Sequence, residues 1–346
     1  MNAKALDAFA SGFVVPLLTL LTGAKVAKSV VSDVVAPLLP PDQASRFRTL
    51  LSIKLSKKET LEQRCDIVVK RTPKKALQRA EKLYLYQTSA ISSGNYSLPQ
   101  EEVAVEIKRL FVNILYEKLF DSDEVWRSLS LPRLTRETFH ENFRRDNGNP
   151  STCPYCDLDT MNSQGTRIVE HFLPKSKFPL LAVHPRNLFS ACQGCNSSAA
   201  KGARVVGHLT SPYVKEIGGC VRFTHDPVKA QLSISAARGD AAVEGFLRLV
   251  RLPTRYQDLN TWYQFEGRRQ ALLESLQHVP IEDEAELERF VKVQQKGAVL
   301  SFAVLHWARN EYWPLRTGPQ LPPMAQKKIS TGAAASRRLP ATLPQR

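Results

Sequence analysis

The chain has 346 residues, enough for one large domain or two ordinary ones, each with its own core. Its 48 Lys+Arg against 33 Asp+Glu give a formal net charge of +15 and a pI of about 9.6, a balance that favours a polyanionic partner through phosphate neutralisation and counterion release. Six cysteines argue against a disulfide framework, because four fall in two Cys-x-x-Cys pairs and leave Cys65 and Cys220 isolated, a pattern of metal binding in a reducing compartment.

Residues 8–21 form an apolar stretch behind a single Lys4, interrupted by Ser11, Gly12, Pro16 and Thr19. It is short for a bilayer span, and Asp7 offsets Lys4 where a signal peptide needs a basic start. The expectation is a buried N-terminal helix or a partner-docking segment in a cytoplasmic protein, with no membrane contact. This first segment, 1–41, ends in a breaker run containing Pro37, Pro40 and Pro41. The next, 42–149, reads as a helical docking or regulatory domain, with helical patterning from about 59 to 120. Thr72 and Pro73 offer an N-cap and a first-turn proline, with Leu77, Ala80 and Tyr84 following on one face. Val103, Ile107, Leu110, Phe111 and Ile114 make a second stripe, and residues 91–99, with Gly94 and Asn95, read as the loop between them. Arg133, Arg136, Arg144 and Arg145 precede a hinge at Asn147-Gly148-Asn149-Pro150.

Residues 150–213 hold the motif region. Beyond it, 214–313 begins with alternation over 221–223 and 231–234 that predicts a hairpin. Helical spacing follows in Leu259, Trp262, Tyr263, Leu273 and Leu276, then in Leu287, Phe290, Val291, Phe302 and Leu305. Residues 314–346 contain no acidic side chain, are rich in Pro, Ala and Lys/Arg, and read as a disordered basic tail. The predicted fold class is α+β, a mainly helical protein carrying a small zinc-stapled unit.

The motif region concentrates the chemistry. Cys153, Cys156, Cys192 and Cys195 lie in two knuckles whose four thiolates can hold one tetrahedral structural zinc and leave no open position for water. Between the knuckles stand Glu170-His171 and Asn187-Leu188, and Asn196 directly follows the last cysteine. A carboxylate, an imidazole and two carboxamides can bind a hard cation and activate water beside a phosphodiester. His171 is the candidate general base, since imidazole titrates near neutral pH. Glu170 and Asn196 are candidate oxygen ligands for a catalytic Mg2+ or Mn2+. Adjacent strand residues point to opposite faces, so Glu170 and His171 share a site only if the strand twists or ends there. Lys175, Lys177, Arg186, Lys201 and Arg204 are candidate phosphate contacts. His140, His278 and His306 sit within helical patterns and read as core.

These knuckles, the Glu-His dipeptide followed by Pro174, the Asn-Leu step and the terminal Asn196 resemble the HNH endonuclease family over about sixty residues. The stretch 170–179, with Ser211-Pro212-Tyr213, also resembles a bacterial subgroup of defence-associated nucleases that includes nuclease subunits of Septu-type systems. The resemblance implies a ββα-metal core: a strand within 166–172, an irregular loop over 173–186, a return strand over 187–190, and a helix from 192–196. It makes Glu170 stand where many relatives carry Asp, gives Asn187 the role of fixing the loop that carries His171, and makes Asn196 a variant last ligand. It implies a metal-dependent endonuclease acting on nucleic acid, DNA ahead of RNA, with anti-phage defence as its setting. Two rivals stay open: a nuclease subunit silent until a partner ATPase or sensor releases it, and a zinc-knuckle binding module whose chemistry has lapsed.

Overall fold

The computed structural model describes residues 2–317. The protein is α+β, mainly helical, with three two-stranded antiparallel sheets among the described residues. The first helix, Asn2–Ala27, is long and apolar enough by length and composition to cross a membrane. Its apolar residues are nonetheless core: Leu6, Phe9, Phe13, Leu17, Leu20, Leu21 and Ala24 are all buried. The breaks that made the stretch look short do not end the helix. The Ser11 hydroxyl donates to Asp7 O, the Val15 amide reaches Ala10 O in a single π turn, and Pro16, with no amide to donate, opens the next α stretch. Segment 1–41 is also tied to the residues that follow it. Lys25 Nζ donates to Val69 O at 2.8 Å, and Asn2 Nδ2 to Phe139 O at 2.7 Å.

The helices Leu61–Arg71 and Lys74–Ser92 pack against this first helix. Thr72 serves as the C-cap of the former and Pro73 as the N-cap residue of the latter, so the expected Thr72 N-cap shifts by one residue. The second helix buries Leu77, Ala80 and Tyr84 and continues through Ile91, which is core rather than loop. A helix over Val105–Arg109 widens into π geometry over Leu110–Leu119, placing Tyr116 against the motif. The helix Arg136–Asp146, capped at Thr135 through reciprocal bonds with Thr138, packs on the motif hairpin.

Numbering the strands in chain order, β1 (Lys54–Ser56) and β2 (Glu59–Thr60) form a minor hairpin. The motif hairpin pairs β3 (Arg167–His171) with β4 (Leu188–Cys192), in a register that sets Arg167 opposite Cys192 and His171 opposite Leu188. The return strand runs two residues further than expected. The helix after it, Gln193–Asn196, is a single turn. A third hairpin, β5 (Val221–Asp226) with β6 (Gln231–Ala236), lies where alternation predicted one. The helices Leu259–Leu276, Glu284–Gln294 and Ser301–Trp307 follow. Of the expected basic tail, 314–317 belong to the helix Trp313–Thr317, and 318–346 lie outside the described residues.

Candidate functional site

The first knuckle is a turn in which the Cys156 and Asp157 amides both bond Cys153 O, at 3.3 and 3.0 Å. Asp157 takes φ 53° to close it. The second knuckle is the end of β4 and the one-turn helix, where Cys192 Sγ accepts the Cys195 amide at 3.3 Å. All four cysteines are buried and their sulfurs lie within 4.8 Å of one another. Cys153–Cys195 and Cys156–Cys192 sulfur separations are both 3.9 Å. A tetrahedron with Zn–S bonds of about 2.3 Å has edges of about 3.8 Å, so the four sulfurs fit a single structural zinc. Amides of Leu158 and Cys192 donate to the Cys156 and Cys153 sulfurs. Arg255 adds a charge-assisted bond to Cys195 Sγ at 3.1 Å while its other nitrogen holds Asp159 at 2.9 Å. Arg255, outside the motif region, offsets the negative charge that a thiolate cluster gathers; its only signal in the sequence was a basic side chain on a short helix.

Of the other sequence-predicted residues, Glu170, His171 and Asn187 lie together at the far end of β3. The strand ends at His171, after which the Phe172 amide bonds Asn187 O. Glu170 is buried and its carboxylate is ion-paired with Lys201 Nζ, itself buried. Burial pushes the Glu170 carboxyl up, opposed by Lys201 and by the His171 backbone amide, which donates to it. His171 is likewise buried. Its Nε2 lies 2.9 Å from Ala182 O; a carbonyl only accepts, so Nε2 carries the proton and Nδ1 keeps its lone pair. Burial, aided by the positive charges of Lys175, Lys201 and Arg136, brings its pKa down to about 3 against the pull of the Ala182 bond. The ring is therefore neutral at physiological pH, in the form a base requires. An anionic phosphate beside it raises its basicity.

Asn187 is fully buried. Its Oδ1 accepts the Leu173 amide at 2.7 Å, and its Nδ2 donates to Leu173 O and Leu181 O, each at 3.1 Å. It thus ties both ends of the loop that presents Ala182 O to His171. Asn196 is exposed and lines a cleft of about 400 Å3 with Tyr116, Arg136, His140, Arg167 and Lys175. Neither Glu170 nor His171 is among its walls.

The oxygen donors expected to hold a divalent ion do not fit one in this arrangement. The Glu170 charge is already matched by Lys201 inside the protein, and Asn196 lines a cleft that Glu170 does not reach. Lys201 is accordingly not a surface phosphate contact. Arg204 is also committed, its Nη1 donating to Ala200 O at 2.8 Å. Arg186 donates to Ser92 O. Lys175 pairs with Glu117 and sits 4.6 Å above the Tyr116 ring, while Lys177 is exposed.

Tyr116 was not singled out by the sequence, because nothing in the stripe on its helix distinguishes it from core. Its ring meets the His171 ring edge-on at 4.4 Å between centroids, and the Arg136 guanidinium lies 4.8 Å from it on the cleft side. His140 is buried as expected, with Nδ1 2.7 Å from Ser190 Oγ, yet it also reaches the cleft wall. No protein-family model, curated protein or solved structure matches the chain.

Proposed function

We propose that this protein is a nuclease that hydrolyses phosphodiester bonds of nucleic acid, DNA ahead of RNA on the HNH resemblance. The observation that carries this reading is the state of His171: neutral, with Nε2–H fixed on Ala182 O by a loop that Asn187 ties, and Nδ1 left as the proton acceptor. Nδ1 takes the proton of a water as its oxygen bonds to phosphorus. The bond to the leaving oxygen breaks, and that oxygen is protonated from solvent. Lys175, on the cleft wall, and the exposed Lys177 attract the nucleic-acid backbone, and the net charge of +15 supplies long-range attraction; His171 is buried behind Tyr116, so the base meets substrate only once it is uncovered. Work in the cytoplasm against phage fits the same resemblance.

Plasmid cleavage by the zinc-loaded protein, with Mg2+ or Mn2+ added, tests the reading against His171→Ala. Cleavage by the parent and its loss in the variant is the expected result. Equal activity of the two sinks the assignment.

A second reading, the partner-controlled subunit, is favoured by the covering of the site. Tyr116 from the helical half lies over His171 and Lys201 over Glu170, so a protein docking on the helical half and shifting the helix that carries Tyr116 opens the base to substrate. Cleavage that depends on an added ATPase or sensor partner separates this reading from a self-sufficient enzyme. Nucleic-acid binding without cleavage under any condition supports the lapsed binding module instead.

A further inference from the structure

We propose that the groove between the helix Lys74–Ser92 and the coil at 101–104 docks an amphipathic helix of a partner protein, acidic along the flank that faces Lys75, Arg79 and Lys82. This rests on the partner-controlled reading and gives that contact a surface and a chemistry. Two adjoining hollows of about 410 and 420 Å3, which share Lys75, Arg79 and Leu83, make up the groove. Its floor is apolar, with Ala76, Ala80 and Leu83 from the helix and Val103 and Ala104 from the coil. The two alanines keep the floor low, which leaves room for the apolar side chains on one face of a second helix. Tyr86, one turn beyond Lys82 and 52 % exposed, lines the same groove and offers an aromatic anchor.

Charge selects the occupant. Lys75, Arg79 and Lys82 are exposed and follow one another at four and three residues, so they line one side of the helix. Each step along that side rises by about 5–6 Å, and a second helix with carboxylates at the same spacing meets the cations one for one. The coil brings Glu101 and Glu102 to the other wall. Arg79 bonds Glu101 across the groove at 2.5 Å, with the two side chains 61 % and 32 % exposed, and a pair this open to water holds the wall only weakly. An acidic wall turns away a phosphate backbone, and the apolar floor gives it no donor, so the cations do not make this a nucleic-acid track. A helix with an apolar stripe, an acidic flank and a basic or neutral flank matches all three surfaces. The position of the coil ties the groove to the base. Residues 101–104 lead directly into the helix Val105–Arg109 and its π continuation Leu110–Leu119, which sets the Tyr116 ring on His171. A helix seated against the coil therefore bears on the cover of His171.

The test selects binders to the zinc-loaded full-length chain from a displayed library of peptides patterned as amphipathic helices, with both flanks randomised. Enriched peptides are expected to carry acidic residues at three- and four-residue spacing along one flank. Fluorescence anisotropy of these peptides, made synthetically, then compares the parent with two folded variants. The triple variant Lys75→Glu/Arg79→Glu/Lys82→Glu is expected to bind about tenfold or more weakly, and a peptide whose acidic flank is changed to lysine to regain that loss. Ala76→Trp fills the floor without touching a charge, and is expected to weaken binding as well, which loose charge attraction does not produce. Saturating peptide is expected to raise carbethoxylation of His171 by diethyl pyrocarbonate several-fold, read by peptide mass spectrometry. Failure to enrich acidic helices, or equal affinity for the parent and both variants, overturns the proposal. So does a DNA strand that binds the parent, loses binding in the triple variant and ignores Ala76→Trp, or a dimer in light scattering that the triple variant dissociates. Peptide binding with unchanged labelling overturns the link to His171. None of these readouts involves cleavage, so a chain that takes the peptide, uncovers His171 and never cuts nucleic acid refutes the nuclease reading and leaves the docking groove standing.

Discussion

Replacing Asn187 by Ala removes three buried hydrogen bonds at once, to the Leu173 amide, Leu173 O and Leu181 O. The site is fully buried, so water does not readily take over, and each orphaned backbone group carries a penalty of about 1–3 kcal/mol. Allowing for partial relaxation of the loop, the expected loss is about 3–6 kcal/mol, a large share of a typical folding free energy of about 5–15 kcal/mol. The loop bearing Ala182 O is released with it, so His171 loses the acceptor that fixes its tautomer. Asn187→Asp keeps the acceptor for the Leu173 amide but sets a carboxylate against two carbonyls, and is expected to be at least as damaging. Urea denaturation gives the stability, and hydrogen exchange at the Leu173 amide gives the local opening. An Asn187→Ala protein within about 1 kcal/mol of the parent, with undiminished protection at Leu173, refutes the clamp.

His171→Ala is expected to reduce cleavage by on the order of a hundred- to ten-thousand-fold, with zinc content and native circular dichroism retained. One zinc per chain is expected by elemental analysis, and Cys195→Ser is expected to leave an aggregating or protease-sensitive protein rather than a merely slow one, because a structural zinc contributes folding free energy directly; a stable, zinc-free protein contradicts this. Burial lowers the pKa of His140 and His184 from the ordinary 6.5 to about 4 each. Their contribution is full above pH 6.5 and is lost as pH falls toward 4, with a slope of up to about 1.4 kcal/mol per pH unit for each. Unfolding midpoints measured across that window, with His140→Asn flattening the curve, check the sign.

Much of the motif was legible because its constraints are local. Cysteine spacing placed the knuckles, β-rich residues placed β3, and the prolines at 174, 179 and 185 marked the irregular loop that Asn187 ties. The N-terminal apolar stretch was legible as buried but not in length, since a π turn carries the helix through Gly12 and Pro16. What periodicity did not reveal was pairing across distance. Tyr116 lies 55 positions before His171, and Lys201 31 positions after Glu170. Both belong to types that are usually core or solvated charge, so only the tertiary packing tells them apart. Arg204, too, was a reasonable phosphate contact by charge, and the carbonyl of Ala200 claimed it.

The first knuckle is completed from the far end of the chain. Tyr256 Oη donates to Cys156 O at 2.9 Å, the Leu300 amide to Asp157 O at 2.6 Å, and the Phe302 amide to the Asp157 carboxylate at 2.9 Å. During synthesis, a ribosome that has just extruded both Cys-x-x-Cys pairs has made all four cysteines of the cluster but not the segment that covers the first turn. Metal capture can therefore begin early, while closure waits for the residues around Ser301 to emerge. Such non-local pairing slows folding, because loop-closure entropy is lost before the contact forms. A chain halted before that point is left with an uncovered knuckle, open to oxidation of its thiolates.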